Sequence, residues 1–218
     1  MPYAEPIMLY TEPIMPCPLL EIPFSRSRYA GLDLRGQHAA SYAGHIKRVL
    51  TESGASVAYG GYLEPRKLYG SFGHFDGKGG PVRNIHLGVD FWAPAGTAVL
   101  CPVPGRVHSW SRRSAPGDYG HVILLEHPMG ENTLFSLYGH LSAASLQGLK
   151  PQRLFQAGER LGELGPPEEN GGYEPHLHFQ LIRDPAQWQG DYPGVCAAEE
   201  LAFYRENCPD PLPFLGYL

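Results

Sequence analysis

The sequence predicts a mainly β protein with an N-terminal extension that carries one helix. Three observations lead there. From about residue 84 the chain breaks into short strand-like runs: LGVDFWA, TAVLCPV, GRVHSW, HVILLEH, TLFSLYGHL, RLGELG and HLHFQLI. Turn signals stand between them at Pro94-Ala95-Gly96, Pro104-Gly105, Pro116-Gly117-Asp118, Met129-Gly130-Glu131-Asn132 and Gly165-Pro166-Pro167. The 218 residues include 27 Gly and 22 Pro, nearly twice average usage, as a turn-rich chain requires. Many short strands at this spacing argue for a sandwich or a partly open barrel.

Taken in order, residues 1–30 are Pro-rich and repeat Glu-Pro-Ile-Met at positions 5–8 and 12–15, which reads as an extended arm. Residues 37–53 place Tyr42, Ile46, Val49 and Leu50 at helical spacing, and Gly54 follows as a stop signal. GASVAYGGYLEPRKLYGSF then reads as strand and turn, and FDGKGGPVRN as a Gly-rich connection. After the β region a short helix is expected within Cys196 to Asn207, before the Pro-rich CPDPLPFLGYL. The expected organisation is an N-terminal extension over 1–83, a main domain over 84–185 and a C-terminal extension over 186–218.

Composition excludes several classes. Lys and Arg number 17 against 22 Asp and Glu, a formal charge of −5, so there is no basic excess to neutralise phosphates and no nucleic acid is expected as a partner. No apolar run reaches the roughly 18 residues a membrane span needs, so an integral membrane protein is not expected. Cys17, Cys101, Cys196 and Cys208 lie far apart with no CxxC pair, which reads as buried thiols rather than a zinc-thiolate site. The N-terminus lacks a basic segment followed by an unbroken apolar one, so the chain as it stands reads as cytoplasmic; with a leader removed it would be periplasmic or in the cell envelope.

Ten histidines are the unusual feature of the composition. In His176-Leu177-His178-Phe179, strand alternation puts both imidazoles on one face and Leu177 and Phe179 on the other. His86-Leu87-Gly88-Val89-Asp90 adds an imidazole and a carboxylate. On a straight strand these would stand roughly 13 Å apart at about 3.3 Å per residue, so the chain must turn between them, and Gly88 permits it. Tyr138-Gly139-His140-Leu141 closes another strand-like run. Each fragment alone has a bland reading: a solvated face, a turn carboxylate, a hydrogen-bonded strand-end histidine. Together they offer two imidazoles and one carboxylate for a divalent ion with a fourth position left for water, the ligand set of a catalytic zinc site, and surplus histidines for proton transfer.

HLGVD, LYGHL and HLHF, in this order and embedded in GVDFWAPAGTAV and GERLGELG, closely resemble the site motifs of the M23 family of zinc metallopeptidases, the lysostaphin-like or LytM-type peptidoglycan endopeptidases. The resemblance covers about residues 84–183. It implies a groove-bearing antiparallel β-sheet core, one Zn²⁺ per chain held by His86, Asp90 and His178, and catalytic roles for His140 and His176 beside the open position. It further implies hydrolysis of peptide bonds in peptidoglycan-type or Gly- and D-amino-acid-containing peptides by a zinc-activated water. Which imidazole acts as base is open, as is the oligomeric state.

The remaining histidines read as structural: His121 and His127 at strand ends, His108 on a strand, His38 and His45 on the helix. Loops 111–119 and 166–175 are expected to wall the groove, with Glu168, Glu169 and Glu174 favouring a cationic substrate if they line it. The segment GGYLEPRKLY is similar to one that precedes M23-like domains in large proteins with kinase-like and class III aminotransferase-like domains, which points to a cytosolic enzyme with a different small-peptide substrate. Alternatively the N-terminal arm crosses the groove and supplies an extra ligand, with His74, Asp76 or Asn84 as candidates. Two further readings compete: a non-hydrolytic peptidase-like binding or activator module, and a lipoyl- or biotinyl-carrier-like barrel suggested by PVPGRV and GERLGELG. The second lacks a lysine in a tight turn between those strands.

Overall fold

A computed structural model describes residues 18–22, 28–71, 81–113 and 115–216. The Glu-Pro-Ile-Met repeat, Cys17, His74 and Asp76 lie outside the described residues. Among the described residues there are twelve strands: β1 Tyr29–Gly31, β2 Val57–Gly60, β3 Ile85–His86, β4 Val89–Trp92, β5 Ala98–Leu100, β6 Gly105–Arg113, β7 Gly120–Met129, β8 Asn132–Leu141, β9 Leu154–Phe155, β10 Arg160–Glu163, β11 His176–Ile182 and β12 Val195–Cys196. Eight of them form one sheet in the order β1-β2-β4-β11-β8-β7-β6-β9; β10-β5 and β12-β3 are separate two-stranded ribbons. All pairings in the large sheet are antiparallel except β1 with β2 at its edge. The protein is thus mainly β with an antiparallel core, as expected.

Period-two alternation is what places the core. On β4 and β11, Val89, Phe91, Leu177, Phe179 and Leu181 enter one apolar cluster, joined by Tyr138 and Ile123 from the neighbouring strands. Asp90, Trp92, His176, His178 and Gln180 consequently share the opposite face. The segments at 28–71 are built onto that same sheet, because β2 pairs with β4 in a register that sets Gly60 opposite Asp90.

The expected helix exists as α1, Tyr42–Ser53. It starts five residues later than the periodicity suggests, since residues 38–41 form a turn first. Gly54 ends it in the left-handed conformation at φ 66°. Ile46 is buried, and Tyr42, Val49 and Leu50 pack with it against Leu34, Ala58 and Trp92. Near the C-terminus a 3-10 turn at Ala198–Glu200 leads into α2, Leu201–Asn207, inside the expected range. A further short helix, α3 Pro211–Phe214, was not expected from the Pro-rich tail; Asp210 caps it by accepting from Leu212 N, and Pro211 stands at its first turn, where no amide donor is needed. Cys101, Cys196 and Cys208 are buried thiols, and no disulfide joins them.

Candidate metal centre and groove

The break between β3 and β4 brings His86 and Asp90 together. Their side chains, roughly 13 Å apart on a straight strand, stand with Nε2 and Oδ1 3.2 Å apart. Gly88 lies in the break because the backbone there runs against β11: a Cβ would stand 2.6 Å from the Phe179 carbonyl oxygen and 2.8 Å from His178 Cε1. Close approach, not positive φ, makes this position a glycine. Across the ladder His178 is in register with Asp90, and its Nδ1 lies 3.1 Å from Oδ1 and 2.8 Å from His86 Nε2.

The outward nitrogens fix which atoms face inward. His86 Nδ1 donates to the Gly61 carbonyl at 2.9 Å, so in the neutral ring Nε2 carries the lone pair. His178 Nε2 donates to Gln180 Oε1 at 2.9 Å. The Gln180 amide orientation is itself fixed, because its NH₂ donates to the Pro193 carbonyl, which can only accept. Three lone-pair donors therefore converge in the same small space, all ligand atoms of His86, Asp90 and His178 lying within 4.8 Å of one another. Two imidazole nitrogens and one carboxylate oxygen, with their outer atoms hydrogen-bonded, are the donor set that suits Zn²⁺, so the residues present fit the ion. Burial pushes the His86 imidazole down to about 4, and the Arg66 charge acts the same way. For Asp90 burial acts upward but is outweighed by His86 and Arg66, leaving the carboxyl well below the usual range.

His140 and His176 flank this centre with ring centroids 4.1 Å apart. Each donates Nδ1 to a backbone carbonyl, Asn170 for His140 and Glu174 for His176, both at 2.7 Å, so each turns Nε2 away from its anchor. Burial lowers both pKa values, that of His140 furthest, so both are neutral proton acceptors near pH 7. His140 reaches the face of Gly139 and His178 only because β8 carries an extra residue here. Leu141 pairs with His121 but Tyr138 with Ile123, and His140 takes a φ of 62°. Without that bulge, alternation would send its ring to the core side with Tyr138. Trp92 stacks on His176, and the Tyr119 ring lies beside both His140 and His178.

These side chains open into a cavity of about 450 Å³. Leu34, Tyr42, Leu68, Tyr69, Trp92 and Tyr173 form an aromatic and apolar wall. Arg113, also in the lining, bridges Asp118 and Asp191 at 2.8 and 2.9 Å. Burial raises the Asp191 pKa despite Arg113. The loop around 166–175 contributes Tyr173 but not its three glutamates: Glu168, Glu169 and Glu174 are absent from the cavity lining, and Glu169 instead accepts from Ala143 N at 2.8 Å. Beyond Asp90, the acidic lining comes from Asp118 and Asp191. Asn84 likewise stays outside the lining, tied by its backbone to Arg66 and Cys196.

Several residues of the centre escaped the sequence reading. Gln180 was findable, since it repeats the His176-His178 spacing on one strand face. Buried Asn170, which pins the 166–175 loop through Gly165 O and both backbone groups of Tyr173, gives no local signal. Arg66 lies in GGYLEPRKLY, a motif visible in the sequence but without a role there.

Residues 84–189 match the model of peptidase family M23. The DD-carboxypeptidase/endopeptidase Mpg of Neisseria meningitidis serogroup B is 34% identical over 96 residues, 44% of this chain and 20% of that protein. The protein of the same name from Neisseria gonorrhoeae matches equally. The alignment thus spans about a fifth of the length of these curated relatives. Among solved structures, the catalytic domain of the antimicrobial peptidase lysostaphin from Staphylococcus simulans is 25% identical, with 61% of this chain and 80% of that one covered at a TM-score of 0.41.

Proposed function

From the match of residues 84–189 to the model of peptidase family M23 we propose that the chain is a zinc metallopeptidase hydrolysing peptide bonds in peptidoglycan-type or Gly- and D-amino-acid-containing peptides. The observation that carries the proposal is the convergence of His86 Nε2, His178 Nδ1 and Asp90 Oδ1 within 3.2 Å of each other, with both outer ring nitrogens committed to acceptors. When bound there, zinc supplies Lewis acidity toward a carbonyl and a water activated near neutral pH. The chain's own residues do the rest. His140 and His176, neutral and anchored through Nδ1, present Nε2 to the cavity to take a proton from the nucleophile, to donate one to the leaving amine, and to steady negative charge once protonated. Anchoring by backbone carbonyls holds both rings in one orientation, so little reorganisation is needed when charge develops.

The cavity's dimensions suit a peptide segment of a few residues. Its aromatic wall, drawn largely from residues 34–69, packs against apolar side chains or glycine backbone, and the Arg113–Asp118–Asp191 side offers charge of both signs to a peptide terminus. The test is to measure metal content of the purified protein and incubate it with muropeptides and with Gly-rich or D-Ala-containing peptides, reading products by mass spectrometry. One zinc per chain and cleavage suppressed by a chelator are expected. Tight zinc binding with every peptide left intact would favour a non-hydrolytic binding module.

A further inference from the structure

The GGYLEPRKLY segment lies wholly before the matched residues 84–189, yet it closes around the proposed zinc ligands. Gly61 accepts from His86 Nδ1 and turns back to accept from Glu64 N at 3.1 Å. Pro65 bridges to Ile85, and His86 N donates to the Glu64 carbonyl, so the segment is stitched to β3. Arg66 is 3% exposed and aims its guanidinium at Asp90: Nη1 donates to Oδ2 at 2.6 Å and to the Tyr69 hydroxyl at 3.2 Å, while Nε donates to Glu64 Oε2 at 2.6 Å. Glu64 is fixed in turn, its Oε1 accepting from Leu34 N at 2.8 Å. The two glycines make room for this arrangement. A Cβ on Gly61 would fall 1.9 Å from Arg66 Nη2, and one on Gly60 2.2 Å from the Leu32 carbonyl oxygen.

We infer that Arg66, braced by Glu64, is a positioning residue for the metal site: by occupying Oδ2 of Asp90 it restricts that carboxylate to one-oxygen ligation through Oδ1. This rests on the zinc reading above. The geometry divides the carboxylate cleanly, Oδ2 on Arg66 and Oδ1 facing His86 Nε2 and His178 Nδ1 at 3.2 and 3.1 Å. A lone buried cation here would oppose a metal ion, but Glu64 at 2.6 Å compensates its charge. What Arg66 contributes is therefore orientation. A free carboxylate can swing both oxygens onto a metal, raising its coordination number and closing the position a substrate needs. Leu34 and Tyr69 tie the same network to the cavity wall, so the segment outside the family match supports the ligands and the wall together.

The test uses the full chain and the double variant Glu64→Gln/Arg66→Met, which keeps the net charge of the buried network while freeing Oδ2 of Asp90. Zinc affinity is measured by competition with a chelating dye, and the visible spectrum is recorded after Co²⁺ substitution. The expected result is 10- to 100-fold weaker zinc binding, the range seen when outer partners of metal ligands are removed. The Co²⁺ absorption should also weaken as coordination rises above four, a change that a purely structural role would not produce. Should the double variant not fold, Arg66→Lys, which keeps the charge but lacks the planar fork, carries the same measurements with the same direction expected. Zinc affinity within two-fold of wild type in a folded variant overturns the inference while leaving the peptidase reading intact. Wild-type protein that binds no zinc overturns that reading instead.

Discussion

Asp90 and His140 illustrate two ways a single residue is placed by its surroundings. Asp90 is set by register, opposite His178 on one side and Gly60 on the other. Replacing Asp90 or His178 by Ala should abolish zinc binding and turnover together, since each removes one of three donors; metal analysis of the dialysed variants checks it. His140 is set by its Nδ1 hydrogen bond to Asn170 and by a strained backbone at φ 62°. His140→Asn is the better probe than Ala, because Asn tolerates the left-handed region. It should keep one zinc per chain and lose about 10²- to 10⁴-fold in turnover, the usual worth of a positioned acid or base. Unchanged kcat would remove His140 from the reaction. Period-two alternation made the shared face of His176 and His178 legible in the sequence. The same rule points His140 the wrong way. Its placement depends on an extra residue in β8 relative to β7, and such a bulge depends on the pairing of two strands, which neither strand's sequence states alone.

At the level of elements, the centre is a junction of short pieces that the sheet holds rigid. β3 has two residues and β4 four, so neither positions a ligand by its own stability. Their break is set by the approach of β11 to Gly88, and a methyl group there meets a backbone oxygen and a ligand ring at once. Gly88→Ala should therefore cost about 1–3 kcal/mol in the metal-free protein, as overpacking does, and weaken zinc binding by displacing His178. Urea unfolding with and without zinc separates the two effects. Equal stability and equal affinity would mean that the break is not held by this contact. The expected strand runs and the helix stop at Gly54 were readable because each is governed by local periodicity and turn chemistry. The start of α1 was not, because His38 to Ser41 form a turn closed by their own backbone and hydroxyl contacts. The cavity side of loop 166–175 was also hidden: its glutamates looked like groove residues, but buried Asn170 orients the loop so that Tyr173 faces the cavity instead.

Across the whole molecule, buried histidines make stability depend on both metal and acid, through separable groups. Zinc that binds only the folded state adds about 4 kcal/mol when free ion stands at a thousand times its dissociation constant. Chelation should lower the thermal midpoint accordingly, and a midpoint indifferent to chelator would contradict a folded-state site. His127 lies away from the cavity and reports on acid alone. Burial pushes its imidazole down to about 4, with Nδ1 on the Pro104 carbonyl and Nε2 on the Ser136 hydroxyl. In the unfolded chain the same ring titrates near 6.5. Between those values the unfolded state binds the extra proton, so this contribution is complete above pH 6.5 and is lost progressively as pH falls to about 4. The full difference amounts to about 3 kcal/mol. The ring is 1% exposed, so solvent screens little of it. His127→Gln removes the titrating group while keeping hydrogen-bonding capacity toward both partners. It is expected to be somewhat less stable than wild type at pH 7.5, yet to lose about 2–3 kcal/mol less on acidification to pH 4.5, measured by urea unfolding of the metal-free proteins. Parallel acid losses in the two proteins would show that His127 is not protonated on unfolding, and would leave the acid dependence to the cavity histidines.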